Sequence, residues 1–153
     1  MNVRFFSIAM FPQIVVALSS SVTGIAVAQT SPPPGTAVIS NPSAGSTSVC
    51  QNDTFQVIFT VDGSTGYKPD SVEVDDQNGS QIGLATGTDI TQQTKADGST
   101  YFIANVTVNV AGKHPKCQIN VITYKLVQAT PPPNVTYKPV YATSGVQNVT
   151  IIN

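Results

Sequence analysis

Few side chains in this chain could do chemistry, and their spacing decides what chemistry is open to them. His114 is the only histidine, set in Gly112-Lys-His-Pro-Lys116, a solvated turn by composition. As a general base it would need an orienting carboxylate and a nucleophile, and no Gly-x-Ser-x-Gly elbow occurs. One histidine cannot make a multi-histidine zinc or copper site. Asp70, Glu73, Asp75 and Asp76 are the densest acids and the weak candidates for a metal. Calcium wants several carboxylates and carbonyls converging on one point. Here Glu73 and Asp75 fall on the outward face of an expected strand, and no EF-hand spacing is present. Neither a catalytic residue nor a cofactor is expected. Tyr67, Tyr101, Tyr124, Tyr137 and Tyr141 could stack on sugar rings, in a chain without tryptophan.

Cys50 and Cys117 are an even pair, and neither lies in a Cys-x-x-Cys motif. In an exported chain the pair reads as a structural disulfide. Closing so long a loop would stabilise the fold by roughly 4 kcal/mol in the chain-entropy picture. Export is read from the first residues. Arg4, the apolar run Phe5–Leu18 and Ala26-Val-Ala28 have the order of a cleavable signal over residues 1–28. The run is short of the ~20 apolar residues that a membrane span needs. Without Arg4, six of the seven basic residues face eight acids, a net charge of −2. That balance argues against nucleic acid and anionic membranes, which need a basic patch.

Five sequons fit a secreted address: Asn52-Asp-Thr, Asn78-Gly-Ser, Asn105-Val-Thr, Asn134-Val-Thr and Asn148-Val-Thr. Asn41-Pro-Ser is blocked by its proline.

These groups must be positioned by strands. After a Pro-rich leader, residues 29–35, one domain is expected over residues 36–153. Phe55, Val57, Phe59 and Val61 alternate with more polar residues, as do Phe102, Ala104, Val106, Val108 and Val110. Period two marks a strand with one buried face, and it turns Asn105 outward. Residues 71–85 read as a hairpin about Asn78-Gly79. A three-residue loop with Gly79 left-handed would pair Val74 with Ile82 and Val72 with Leu84. Residues 83–94 read as a loop or weak edge strand. Cys117 opens a strand with Ile119 and Val121 on its face and Ile122, Tyr124 and Leu126 on the other. Thr130-Pro-Pro-Pro133 breaks the chain, Tyr137–Tyr141 is extended, and Val149 and Ile151 lie on a last strand. No helical stretch is found in residues 29–153.

The cysteine clamp, the many short strands and the lack of helix resemble an immunoglobulin-like or fibronectin-type domain over Thr36–Asn153. The leader and sequons resemble those of small secreted fungal glycoproteins. The resemblance implies an all-β, two-sheet antiparallel immunoglobulin-like β-sandwich with one inter-strand disulfide. It also implies a non-catalytic extracellular module of a cell wall or matrix, whose partner is an extracellular protein or polysaccharide. A secreted effector or inhibitor acting on a foreign protein is the second expectation. A carbohydrate-active or metal-dependent enzyme is the third.

Overall fold

The computed structural model describes residues 33–153. The expected signal, residues 1–28, and the start of the leader lie outside the described residues. Nine strands form among those described: β1 (Ala37–Asn41), β2 (Thr47–Val49), β3 (Thr54–Val61), β4 (Lys68–Asp75), β5 (Gln81–Thr86), β6 (Ile90–Thr94), β7 (Thr100–Val108), β8 (Lys113–Gln128) and β9 (Tyr137–Ile152). Helix is limited to two three-residue 3-10 turns, Gly63–Thr65 and Gly87–Asp89. The fold is all-β. Among the described residues no helix is long and apolar enough to cross a membrane.

The strands are continuous in one sheet, in the order β1-β3-β7-β5-β4-β8-β9-β2, with β6 also on β7. Pairing is antiparallel except between β2 and β9. The sheet curls into a half-barrel. Ala37 N–H at the start of β1 donates to Ser144 Oγ on β9 at 2.8 Å, and the Thr123 hydroxyl on β8 donates to the Gly35 carbonyl at 2.6 Å. Strands far apart in the hydrogen-bonded order thus meet across the concave face. One continuous ladder links the strands, with only two residue pairs joining β5 to β7.

That face is the core. Alternation on β3 buries Phe55, Val57, Phe59 and Val61; alternation on β7 buries Ala104, Val106 and Val108. Phe59 stacks on Phe102 with ring centroids 5.5 Å apart. Val72 and Val74, Ile119 and Val121, and Val149 and Ile151 close the core from β4, β8 and β9. Thr123 is fully buried, and its bond to Gly35 satisfies the hydroxyl, which would otherwise cost free energy in an apolar setting.

The Asn78-Gly79 hairpin has the loop its residues imply. Gly79 N–H donates to the Asp76 carbonyl, Asp76 N–H to the Ser80 carbonyl, and Gly79 has φ 78°. The pairing beyond it differs from expectation. Val74 faces Gly83 and Val72 faces Ala85, with a bulge after Asp75–Gln81. The extra residue is Ile82. It shifts parity, so Ile82 and Ala85 are both buried while Leu84 is exposed. Gly83 explains why. A Cβ there would lie 3.1 Å from Val106 Cγ1 and 3.3 Å from Val74 Cβ. The missing side chain lets β7 and β4 approach, which outweighs an uninterrupted ladder.

Three further expectations need correction. Residues 83–94 are not a loop: they include much of β5 and all of β6, and β6 is the edge strand of the alternative reading, its exposed Gln92 and Gln93 carried on a complete ladder with β7. The turn about His114 ends at Gly112, and β8 begins at Lys113. The two expected C-terminal stretches are one sixteen-residue strand, β9.

The cysteines are not bonded to each other; both are free thiols. Cys50 follows β2 and donates its N–H to the Ile152 carbonyl on one side of β9. Cys117 faces Val149 from β8 on the other side. Strands lie ~4.8 Å apart, so two positions flanking a third strand are roughly 9–10 Å apart, beyond the ~7 Å Cα separation a disulfide tolerates.

Two measurements check this arrangement. Alkylation in denaturant without reductant should label both Cys50 and Cys117; a linked Cys50–Cys117 peptide would contradict the placement of β2. In urea unfolding, Gly83→Val should destabilise by about 1–3 kcal/mol through overpacking against Val106. Leu84→Val, on the outer face, should change stability by less than about 1 kcal/mol.

Candidate binding surface

The expected chemical groups are dispersed. Among the described residues no three of His, Cys, Asp and Glu gather closely enough to hold a metal ion. Asp70 lies at a cleft with Lys68, Glu73 sits opposite Asn120, and Asp75 accepts from Asn120 Nδ2 at 3.1 Å. Asp76 is committed to its own turn. Its carboxylate accepts from the backbone N–H groups of Asn78 and Ser80 at 2.8 and 2.9 Å. Those bonds hold its carboxyl below the ordinary aspartate pKa, with a smaller push from His114. The side chain of His114 donates from Nε2 to the Val110 carbonyl at 2.9 Å. Burial raises the pKa of both thiols, with smaller upward pushes from Asp53 on Cys50 and from Asp76 on Cys117. A raised thiol pKa leaves little thiolate for nucleophilic work.

The five sequon asparagines are all exposed. Asn52 and Asn105 line a groove of about 650 Å³ between the β2–β3 connection and β7. Asn148, left-handed at φ 60°, lies by the Asn78 hairpin in a cleft of about 230 Å³ with Asp75, Asp76 and Lys116. Asn134 is in the β8–β9 loop.

The tyrosines do come together. Beyond the last β4 pair, Lys68 with Tyr124, β8 and β9 continue as a two-stranded arm. Its register pairs Tyr124 with Tyr141, Leu126 with Pro139 and Gln128 with Tyr137. Directly paired residues share a face, so these six side chains line the outer face of the arm. Tyr137 is 62% exposed and Tyr141 and Leu126 are each 57% exposed. The Tyr124 and Tyr141 rings lie 6.5 Å apart, tilted by 43°. Three large apolar groups this exposed on one element are more than scattered surface residues, and contiguous apolar patches of this kind mark interaction sites.

The inner face anchors the arm. Lys125 Nζ donates to the Thr65 carbonyl at 2.9 Å and lies 5.9 Å from the Tyr67 ring, which covers Gly35. At the tip, Ala129 N–H donates to the Thr136 carbonyl and Thr136 N–H to Thr130 Oγ1. Tyr101 stands apart on β7, near Lys95. The open edge of β9 is blunted by Lys138 and Pro139, devices that discourage another strand from adding there. Sequence reasoning named the tyrosines singly. Leu126 and Pro139 were missed as surface residues, since only the register reveals that they share the tyrosine face.

No family model, curated protein or solved structure matches this chain.

The turn carboxylates set an acid limit. Asp62, Asp76 and Asp97 each have a lowered pKa from hydrogen bonds within their own turns. A depressed folded-state pKa gives stability that is present above the unfolded value and lost as pH falls through the folded one. Stability should therefore decline below about pH 4. In urea midpoints measured from pH 7 to pH 2, Asp76→Asn should lower stability at neutral pH and flatten the acid slope. An unchanged slope would mean that the Asn78 and Ser80 bonds do not favour the charged form.

Proposed function

We propose that this chain is a secreted, non-catalytic glycoprotein that works as an extracellular binding module, with the outer face of the β8–β9 arm as its binding surface. The observation that carries the reading is the exposure of Leu126, Tyr137, Pro139 and Tyr141 on one face, beside a half-buried Tyr124. Four of the five sequons lie on other parts of the fold: glycans at Asn52, Asn78, Asn105 and Asn148 would cover the β2–β3 connection, β7 and the Asn78 hairpin, whereas Asn134 lies in the loop at the tip of the arm. Dispersed acids and a histidine whose Nε2 is engaged favour binding over catalysis.

The strand order supports an immunoglobulin-like reading of the curled sheet. The ladder β1-β3-β7-β6 corresponds to A-B-E-D, and β5-β4-β8-β9 corresponds to C′-C-F-G. The link between β5 and β7, two residue pairs, would then be the seam at which the layers join. On this reading the arm extends the F and G strands beyond the body of the domain.

The test is retention. The protein should be held on at least one of a panel of cell-wall polysaccharides and intact cell surfaces. Tyr124→Ala/Tyr141→Ala should lose most of that retention while its thermal midpoint stays within a few degrees of the parent. Asn105→Gln, on β7, should keep it. Equal retention of the tyrosine variant would remove the arm as the binding surface, and no retention anywhere would remove the binding module.

A further inference from the structure

We infer that the ligand of this face is an acidic polysaccharide, whose sugar units carry carboxylates. The inference rests on the reading of the arm as the binding surface. Lys68, Tyr124 and Tyr141 form one row across β4, β8 and β9 on the outer face. Beside that row is a recess of about 170 Å³ lined by Gly66, Lys68, Tyr124, Lys125 and Leu126. Two of its lining residues are lysines and none is an acid. Lys125 is held in place by the Thr65 carbonyl, whereas Lys68 is exposed. The arm itself bears Lys125 and Lys138 and no acid.

A sugar ring bearing a carboxylate fits this arrangement. Its apolar face stacks on Tyr124 while its carboxylate meets Lys68 at the mouth of the recess. Lys68 also borders a second cleft, of about 570 Å³, whose lining includes the apolar Ile90 and Phe102 and the polar Asp70, Thr86 and Gln92. Hydroxyl groups suit those polar side chains, and Asp70 repels a carboxylate. The two sites meet at Lys68, so the ligand is a chain that passes over it, with an acidic unit on the recess side. An acidic peptide is disfavoured: adding as a strand, it would use the β9 edge where Pro139 lacks a donor.

Affinity electrophoresis of the full chain through gels containing polygalacturonate, its methyl ester, or polyglutamate tests the assignment. The free acid should retard the protein, and the ester and polyglutamate should do so much less. Lys68→Gln should weaken binding to the free acid roughly fivefold, and raising the salt should erase the difference between parent and variant. Asp70→Asn should leave binding the same or strengthen it. Equal retardation by the ester with loss in Tyr124→Ala would keep the arm as the surface and overturn the acidic class. Equal retardation by polyglutamate, unchanged in Tyr124→Ala, would show charge attraction alone and overturn the inference. Failure on all three polymers, with Tyr124-dependent retention on another surface, would also overturn it and leave the broader reading standing.

Discussion

The ladder between β8 and β9 is the constraint on which the rest of the molecule depends. Both strands are sixteen residues long, and they are held in different ways along their length. From Cys117 to Thr123 the inner face of β8 is buried at every second residue, and β4 pairs along its other edge. That half is fixed by the core. Past Tyr124 no third strand follows. A two-stranded ladder alone is marginal in water. Here it is continuous with a buried stem, so its register is set before the arm leaves the body. The Lys125 bond to Thr65 on one face and the Tyr124–Tyr141 pair on the other then hold its base. The register of the exposed face is thus set by the buried stem, out of reach of a partner on the arm.

Charge is divided along the same axis. All eight acids precede Gly98, and four of the lysines follow it. In the fold this places carboxylates in the turns and on β4, while the arm carries Lys125 and Lys138 on its inner side. A net charge near zero therefore conceals a polar molecule. Whole-chain charge argues about solubility and nonspecific attraction; recognition depends on where the charges sit.

The all-β class was legible because β3 and β7 obey a strict period of two. Phe59 and Val106 are fully buried and Asn105 is exposed, as the pattern demands. The Asn78-Gly79 loop was legible because only a left-handed glycine suits it. Pairing failed where the deciding contact is distant. The bulge at Ile82 depends on Gly83 lying beneath Val106, a residue on another strand. Strand β6 was obscure because its stability comes from the β7 ladder and not from apolar side chains. The cysteine pair misled because an even count says nothing about which strand lies between the two residues. The tyrosine face was legible residue by residue, but its assembly was not. Tyr124 and Tyr141 are brought together across a Pro-rich loop that has no standard hairpin length to announce the register.

Binding through a flat face, as proposed, accords with what several of the polar groups already do. Catalysis needs titratable groups aimed at one point and free to change protonation. Asp62, Asp76 and Asp97 each accept hydrogen bonds from their own turns, and Asp75 holds Asn120. Releasing Asp62, Asp76 or Asp97 to meet a substrate would take an acceptor from backbone N–H groups, and releasing Asp75 would take one from the Asn120 side chain. The aromatic rings on the arm are under no such obligation. Tyrosine offers a rigid ring with few torsions to freeze, so contact costs little conformational entropy. A sheet that commits Asp62, Asp76 and Asp97 to its turns and leaves Tyr137 and Tyr141 exposed therefore favours the proposed binding surface over a catalytic site.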